Sequence, residues 1–345
     1  MTNLVQFPGL GLSFELDRVA FSIGGMNIYW YGVCIAVGMC LALVFAFRHS
    51  VEFGVDADAM VDVILIGVVM GILCARLYYV ALSPYQYHSL KDVLAIRDGG
   101  LAIYGGIIGA FLFGGLACKW RKVPVLPMFD LAAMGFLIGQ GCGRWGNFFN
   151  QEAFGCNTTL PWGMYSEGTE AYLRSVQVTL PAGMTVDPTA PVHPTFLYES
   201  IWCLAGFLAL AAFFKKRRFN GQIFLGYVIW YGLGRAWIEG LRTDSLLIGS
   251  TGLRASQLVA IGSVLAAAVL MVIGLRSAKG KTLTVTLAVR DIKKQAEAGE
   301  RFTPDTLPAN APHAEFVKAT DAMNARLDAL DLNTVEIEEI EGPQE

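Results

Sequence analysis

Residues Gly139–Gly155 read GQGCGRWGNFFNQEAFG. The stretch extends a mainly apolar run, Val125–Ile138, and the two together are long enough to cross a bilayer, which takes about 20 residues of helix. An arginine, two asparagines and a glutamate stand where that run ends. Why they stand there depends on the segments around them.

The chain has 345 residues, 54% hydrophobic and 16% charged, with a mean hydropathy of +0.48. A soluble chain of this length needs more charge to cover its surface, so the composition indicates a membrane protein. The net charge of −3 and the lack of a basic stripe with interleaved aromatics exclude a nucleic-acid partner. Cys34, Cys40, Cys74, Cys118, Cys142 and Cys203 fall in apolar stretches and read as small hydrophobes, with only Cys156 in a polar loop. There is no basic region before a short apolar core at the N-terminus, so no cleaved signal peptide is expected.

Seven apolar segments have the length of a span: 27–47, 59–82, 100–118, 125–146, 195–214, 221–241 and 255–275. Lysine and arginine concentrate in RHSVEFGVDAD, KWRKVPVLP, KKRRFNG and LRSAKGK, which places these four segments in the cytoplasm. The expected architecture is an all-α integral membrane protein. It has seven transmembrane helices, the N-terminus outside, a small extracytoplasmic cap over about 147–193, and a cytoplasmic C-terminal tail. The spanning domain occupies 1–276. The tail, 277–345, is charged and carries Phe316, Ala319, Met323, Leu327 and Leu330 at the spacing of one amphipathic helix, which reads as a loosely docked or frayed element. No internal repeat is evident. Glycines at 135, 139 and 143, and at 67 and 71, have the spacing that lets helices pack closely in lipid.

Polar residues gather at the outer ends of several spans. Arg144, Asn147 and Gln151 share a face if the helix continues through GRWGNFFNQE, although the glycines allow an irregular backbone there; Asn150 and Glu152 follow. Arg235, Glu239 and Arg242 recur at i, i+4 and i+7 in YGLGRAWIEGLRTD. HPTFLYE supplies His193, Tyr198 and Glu199. RDGGLAIYGGIIG supplies Asp98 and Tyr104, and NIYWYG supplies Tyr29 and Tyr31. Polar groups scattered without function would appear on both sides of the membrane, whereas these lie toward one. Structural readings compete with functional ones. Arg235 and Glu239 suit an ion pair within one helix, Asp62 and Asp130 suit pairing with Arg76 or bonds to neighbouring helices, and Tyr29 and Trp30 suit an interfacial belt. Arg144 has no acid at i+3 or i+4; a partner from another helix stays open, and a guanidinium near an interface offers bidentate donors to a phosphate.

No nucleophile elbow, zinc-protease motif, P-loop or dinucleotide fingerprint is present, and nothing asks for a cofactor. The histidines, at 49, 88, 193 and 313, look too dispersed for a metal cluster.

Five segments carry a resemblance. GRWGNFFNQEAFG resembles the signature of the bacterial phosphatidylglycerol–prolipoprotein diacylglyceryl transferases, and FSIGGMNIYWYG, RDGGLAIYGGIIG, HPTFLYE and GRAWIEGLRTD resemble further motifs of that family in the same order. The tail after about residue 277 is not covered. The resemblance implies transfer of the diacylglyceryl group of phosphatidylglycerol to the lipobox cysteine of a prolipoprotein signal peptide, with glycerol phosphate leaving. It implies that Arg144 and Arg235 hold the lipid phosphate, and that Asn147, Glu152, Gly155, Glu239 and Tyr31 occupy other positions on which the family depends. Arg242 joins the substrate-binding set as the third member of its helical face. Many family members have histidine where this chain has Tyr104. A phenol with a pKa of about 10 is a poor base for a thiol near 8.5, so Tyr104 is read as a hydrogen-bond donor to the phosphate. The base is then His193 or Glu152, or the arginine field lowers the thiol pKa without one. The competing class is an anion or lipid transporter with an outward-facing arginine site.

Overall fold

The computed structural model describes residues 2–83, 85, 87, 89–96, 99–176, 186–243, 254–288 and 302–329; Asp98 and Leu330 lie outside them. In chain order the strands are β1 (Thr2–Phe7), β2 (Leu12–Asp17), β3 (Val19–Ile23), β4 (Met26–Tyr29), β5 (Tyr165–Ser166), β6 (Thr284–Thr286) and β7 (Thr306–Pro308). The helices are α1 (Trp30–His49), α2 (Ala57–Leu82), α3 (Leu90–Val93), α4 (Ile103–Trp120), α5 (Val125–Asn150), α6 (Glu167–Val176), α7 (Thr195–Phe213), α8 (Gln222–Leu241), α9 (Ala255–Ser277) and α10 (His313–Asp328). Six of them, α1, α2, α4, α5, α7 and α9, are long and apolar enough to cross a membrane. The 20-residue α8, which carries Arg235 and Glu239, is not among the six.

The chain folds as two compact units, residues 1–48 with 130–281 and residues 49–129 with 282–345. The chain is mostly helical, as expected; ahead of α1 in the first unit, Thr2–Tyr29 adds four short strands and a 3-10 turn at Pro8–Leu10. β3 and β4 form an antiparallel hairpin whose corner is Gly24 and Gly25, at φ 57° and 82°; two successive positive-φ residues make the turn that matches strand twist. The alternation in FSIGGMNIY was the available signal for it. β1 pairs with β2 and with β5, so the N-terminus is stitched to the segment after α5. Beneath this sheet Val5, Phe7, Phe154, Met164, Leu173 and Val192 close around Phe148 of α5 and Phe196 of α7. The Phe148 and Phe196 rings are stacked, with centroids 4.7 Å apart. That apolar cluster fixes the ends of the two helices that carry most of the polar residues.

Despite its glycines, α5 stays helical to Asn150. Within a membrane every backbone group must be paired inside its own segment. The close approach to α5 is made by Gly38 of α1, where a Cβ would come within about 3 Å of Cys142 and Gly139, while a Cβ on Gly139 or Gly143 would meet open space. The backbone leaves the helix at Gln151 and Ala153, both at φ 56°. At its other end, Asp130 is fully buried, and its carboxylate accepts the backbone N–H of Gly221 at 2.7 Å and of Phe224 at 2.8 Å. It thus caps α8, whose first N–H groups have no partner within their own helix. Of the two readings the sequence offered for Asp130, a pair with Arg76 or bonds to a neighbouring helix, this cap is the second.

In the second unit, α2 and α4 pack along small residues, with Gly71 against Ala110 and Gly106. Asp62 pairs with Arg121 at 2.8 Å, and Arg76 donates to the carbonyls of Asp92, Val93, Gly99 and Gly100. The tail helix is firmly packed where the sequence suggested a frayed one. Phe316, Met323 and Leu327 of α10 are buried with Val285, Leu287, Ala309 and Ala311, and Val51 packs against that cluster. Two of the histidines that look dispersed in sequence, His49 and His313, meet in this unit, with ring centroids 5.7 Å apart.

Replacing Asp130 with alanine strands two buried donors, each costing about 1–3 kcal/mol. The variant is expected to unfold at a clearly lower temperature in detergent, and Asp130→Asn, which keeps one acceptor, at an intermediate one.

Candidate functional site: a carboxylate between two arginines

Three helices of the first unit bring their polar ends together. Arg144 is in the next-to-last turn of α5, Glu199 in the second turn of α7, and Arg235 and Glu239 are one turn apart on α8. The Glu199 carboxylate is 4% exposed. One of its oxygens pairs with Nε of Arg144, and the other accepts from Nη1 of Arg235 at 2.5 Å. Arg235 also pairs through Nη2 with Glu239, which accepts the Ser256 hydroxyl of α9 at 2.6 Å. On the far side, Arg144 Nη1 donates to Asn147 Oδ1 at 3.3 Å. Asn147 Nδ2 donates to Glu152 at 3.0 Å, and Asn150 Nδ2 donates to the same oxygen at 3.2 Å. The result is one connected polar row, Ser256–Glu239–Arg235–Glu199–Arg144–Asn147–Glu152.

Glu199 is the partner from another helix that the sequence left open for Arg144. The arginine without a nearby acid in its own stretch finds one 55 positions away on another helix. A buried carboxylate needs paired charge and donors, and here two guanidiniums supply both. Each guanidinium carries five N–H donors, and the contacts above use two on each, so both can still donate to an incoming anion.

The remaining candidates attach to this row through a backbone junction. Gly155 N–H donates to the His193 carbonyl at 2.9 Å, His193 N–H to the Cys156 carbonyl at 2.9 Å, and Cys156 N–H to the Leu241 carbonyl at 2.6 Å. Gly155 also bridges to Arg242. The chain after α5 is therefore laced between the residues before α7 and the end of α8. A Cβ on residue 155 would lie 2.7 Å from that of His193 and 3.0 Å from the Leu241 carbonyl. Gly155 acts here as a spacer that lets three segments meet. Tyr31 plays a comparable part, its ring lying flat on the α5 backbone where a Cβ on Gly146 would come within 2.6 Å of it. Next to it, Trp30 stacks on Phe149 at 5.0 Å.

His193 Nδ1 is 3.1 Å from the Tyr198 hydroxyl, which also accepts from Trp162 Nε1 at 2.8 Å. Burial holds the imidazole below its ordinary value of 6.5, so the ring is neutral at pH 7. It borders an open cavity of about 660 Å³ lined also by Gly9, Asn157, Thr159, Pro161 and Pro191. Tyr104 is in the second unit, second residue of α4 and 38% exposed. The sequence reading placed Glu199 near the site without a role, and the structure makes it the hub; the missing signal was its pairing across helices, which spacing within one segment does not encode.

Residues 18–273 match the sequence family described as prolipoprotein diacylglyceryl transferase. The chain is similar to the phosphatidylglycerol–prolipoprotein diacylglyceryl transferase of Bacillus cereus (strain 03BB102), 41% identical over 267 residues that span 76% of this chain and 94% of that protein. It is similar to the protein of the same name from Clostridioides difficile (strain 630), 38% identical over 247 residues, 71% of this chain and 90% of the relative. With the match spanning the helices that build the polar row, the chain belongs to the prolipoprotein diacylglyceryl transferase family.

Proposed function

We propose that the chain is a multi-pass membrane enzyme that moves the diacylglyceryl group of phosphatidylglycerol onto the lipobox cysteine of a prolipoprotein. The observation that carries the reading is the Glu199 carboxylate holding Arg144 and Arg235 side by side, in a chain whose relatives bear that enzyme's name. α8 is the seventh crossing, tolerated in lipid because its two charged residues pair with each other and with α7. The basic segments at the opposite helix ends set the polar row at the outer leaflet and the tail in the cytoplasm. No cofactor takes part in this scheme.

The thiol sulfur attacks the glyceryl carbon bearing the phosphate oxygen. The S–C bond forms as the C–O bond breaks, the phosphate leaves as glycerol phosphate, and the thiol proton passes to a base. Negative charge grows on the leaving oxygen, where preorganised donors contribute most. Arg144 and Arg235 supply them, and Arg242 adds a third cation at the end of α8. Asn147 and Glu239 orient the two guanidiniums, while Gly155 and Tyr31 hold the backbone geometry. Glu152 already accepts two amide hydrogens and anchors the end of the row. His193 is the better base: with its ring hydrogen on Nδ1 toward Tyr198, Nε2 keeps a lone pair for the thiol proton.

The decisive test uses purified protein in phosphatidylglycerol liposomes with a lipobox peptide followed by mass spectrometry. The wild type is expected to add a diacylglyceryl mass to the peptide but not to its Cys→Ser version, and Arg144→Ala to lose about 10²–10³-fold in rate, the loss typical of one charge-stabilising donor. No mass gain from folded protein would sink the transferase reading. Glu199→Gln keeps the shape but frees both guanidiniums to drift; kcat is expected to fall about 10²-fold, with KM moving much less. If KM falls and kcat holds, Glu199 only moderates charge.

The acid side of the pH–rate profile tests His193. Its lowered pKa means that the imidazole takes up a proton only below 6.5, so transfer is expected to be flat through pH 7 and to decline as pH drops through that lowered value. His193→Gln should be slow and lack this limb, and Glu152→Gln should retain it. An unchanged limb in the His193 variant assigns the proton elsewhere.

A further inference from the structure

Outside the polar row, the second unit contains a group of side chains that the transferase chemistry does not use. His49 is the last residue of α1, and the chain then makes a 3-10 turn over Ser50–Phe53. Residues three apart in a 3-10 turn stand one above the other, so His49 and Glu52 project to the same side. His49 Nδ1 contacts one oxygen of Glu52. The other oxygen is 3.5 Å from Nδ1 of His313, the first residue of α10. One ligand atom from each of the three residues lies within 4.8 Å of the others. The Glu52 side chain is 1% exposed, and His49 and His313 are partly covered.

Two nearby features hold the third ligand in place. The side chain of Val51, between the two residues of the turn, packs against the apolar cluster of the tail that contains Phe316, Met323 and Leu327. The Thr286 carbonyl of β6 fills the space beside Gly54, at φ 66°, where a Cβ would have to go. His313 is therefore positioned by the fold of the tail on the turn.

A buried carboxylate facing two imidazoles requires positive charge between them. The buried Nδ1 of His313 has no hydrogen-bond partner among the described residues. A neutral imidazole with an open lone pair opposite a carboxylate oxygen is the ligand form of histidine. Two imidazoles and a carboxylate match the donor set of zinc sites with a fourth, water-filled position. A zinc ion takes nitrogen and oxygen donors at about 2.0–2.2 Å, which asks the His49–Glu52 contact to open slightly while His313 barely moves.

We propose that His49, Glu52 and His313 bind a divalent transition-metal ion of the zinc class, and that this ion clamps the C-terminal segment onto the turn after α1. Two ligands come from the first helix and the turn that follows it. The third comes from a segment beyond residues 18–273, the part that matches the transferase family, so the clamp belongs to this chain's extension and is independent of the polar row.

The test uses full-length protein without a polyhistidine tag, stripped by chelator and titrated with Zn²⁺ alone by calorimetry. One zinc is expected to bind per chain, and its affinity to fall at least about 100-fold in His313→Gln and in Glu52→Gln, more than the loss of a supporting contact around a metal. Bound Zn²⁺ should also slow proteolysis of the tail between β7 and α10 in the wild type but not in His313→Gln. His313 is partly exposed and starts a helix, so its variant should fold, with circular dichroism and size exclusion as the check. No stoichiometric binding, or equal binding by His313→Gln, would overturn the proposal and leave the cluster as a proton-bridged contact.

Discussion

The polar end of this molecule depends on one carboxylate. Glu199 enters from α7 with almost no exposure to solvent and is paired on both oxygens by guanidiniums from different helices. Taking away one partner of a buried ion pair typically costs about 3–5 kcal/mol, because the remaining charge is stranded. The same pairing has little to offer as net stability, since apolar residues of similar volume would pack as well. Its value is positional. Two arginines left to themselves on adjacent helices would repel and turn outward; a shared anion fixes their separation and orientation before any substrate arrives.

That pairing works only because the backbone brings three helix ends to one place. The apolar cluster of Phe148, Phe154 and Phe196 locks α5 to α7, and the hydrogen bonds of Gly155 and Cys156 tie the exit of α5 to the entry of α7 and the end of α8. At the other end of the same helices, Asp130 caps α8 from within α5. α5 and α8 are thus pinned at both ends, and the guanidiniums inherit that rigidity. Sites built on supported helices hold their geometry better than sites built on loops.

Much of this was legible in the sequence. Of the seven apolar spans offered by the sequence, six are helices long and apolar enough to cross a membrane, and the i, i+4 pair of Arg235 and Glu239 could be read directly from spacing. What failed did so for identifiable reasons. The N-terminal hairpin is short and was masked by the apolar character of the segment it leads into, although FSIGGMNIY carries the turn signal. The role of Glu199 was hidden because an ion pair between helices leaves no periodic trace in either one. The tail helix showed its apolar stripe but not the surface waiting for it, since β6, β7 and the turn at Val51 are far apart in sequence. His49 and His313 looked dispersed for the same reason.

The charge balance of the row bears on turnover. Arg144 and Arg235 are matched by Glu199 and Glu239, so this part of the row is close to neutral. Bare arginines would bind a phosphodiester tightly, and the phosphate monoester that leaves carries more negative charge than the lipid did. An uncompensated site would therefore hold its product hardest. Binding that does not distinguish ground state from transition state adds nothing to kcat, and excess attraction for the product slows release. With carboxylates already engaging the guanidiniums, the field felt by a resting phosphate is reduced. The N–H donors remain fixed where charge appears as the C–O bond breaks. In the proposed reaction, Glu199 and Glu239 would thus tune the arginines toward the moment of transfer and away from the anion that must leave.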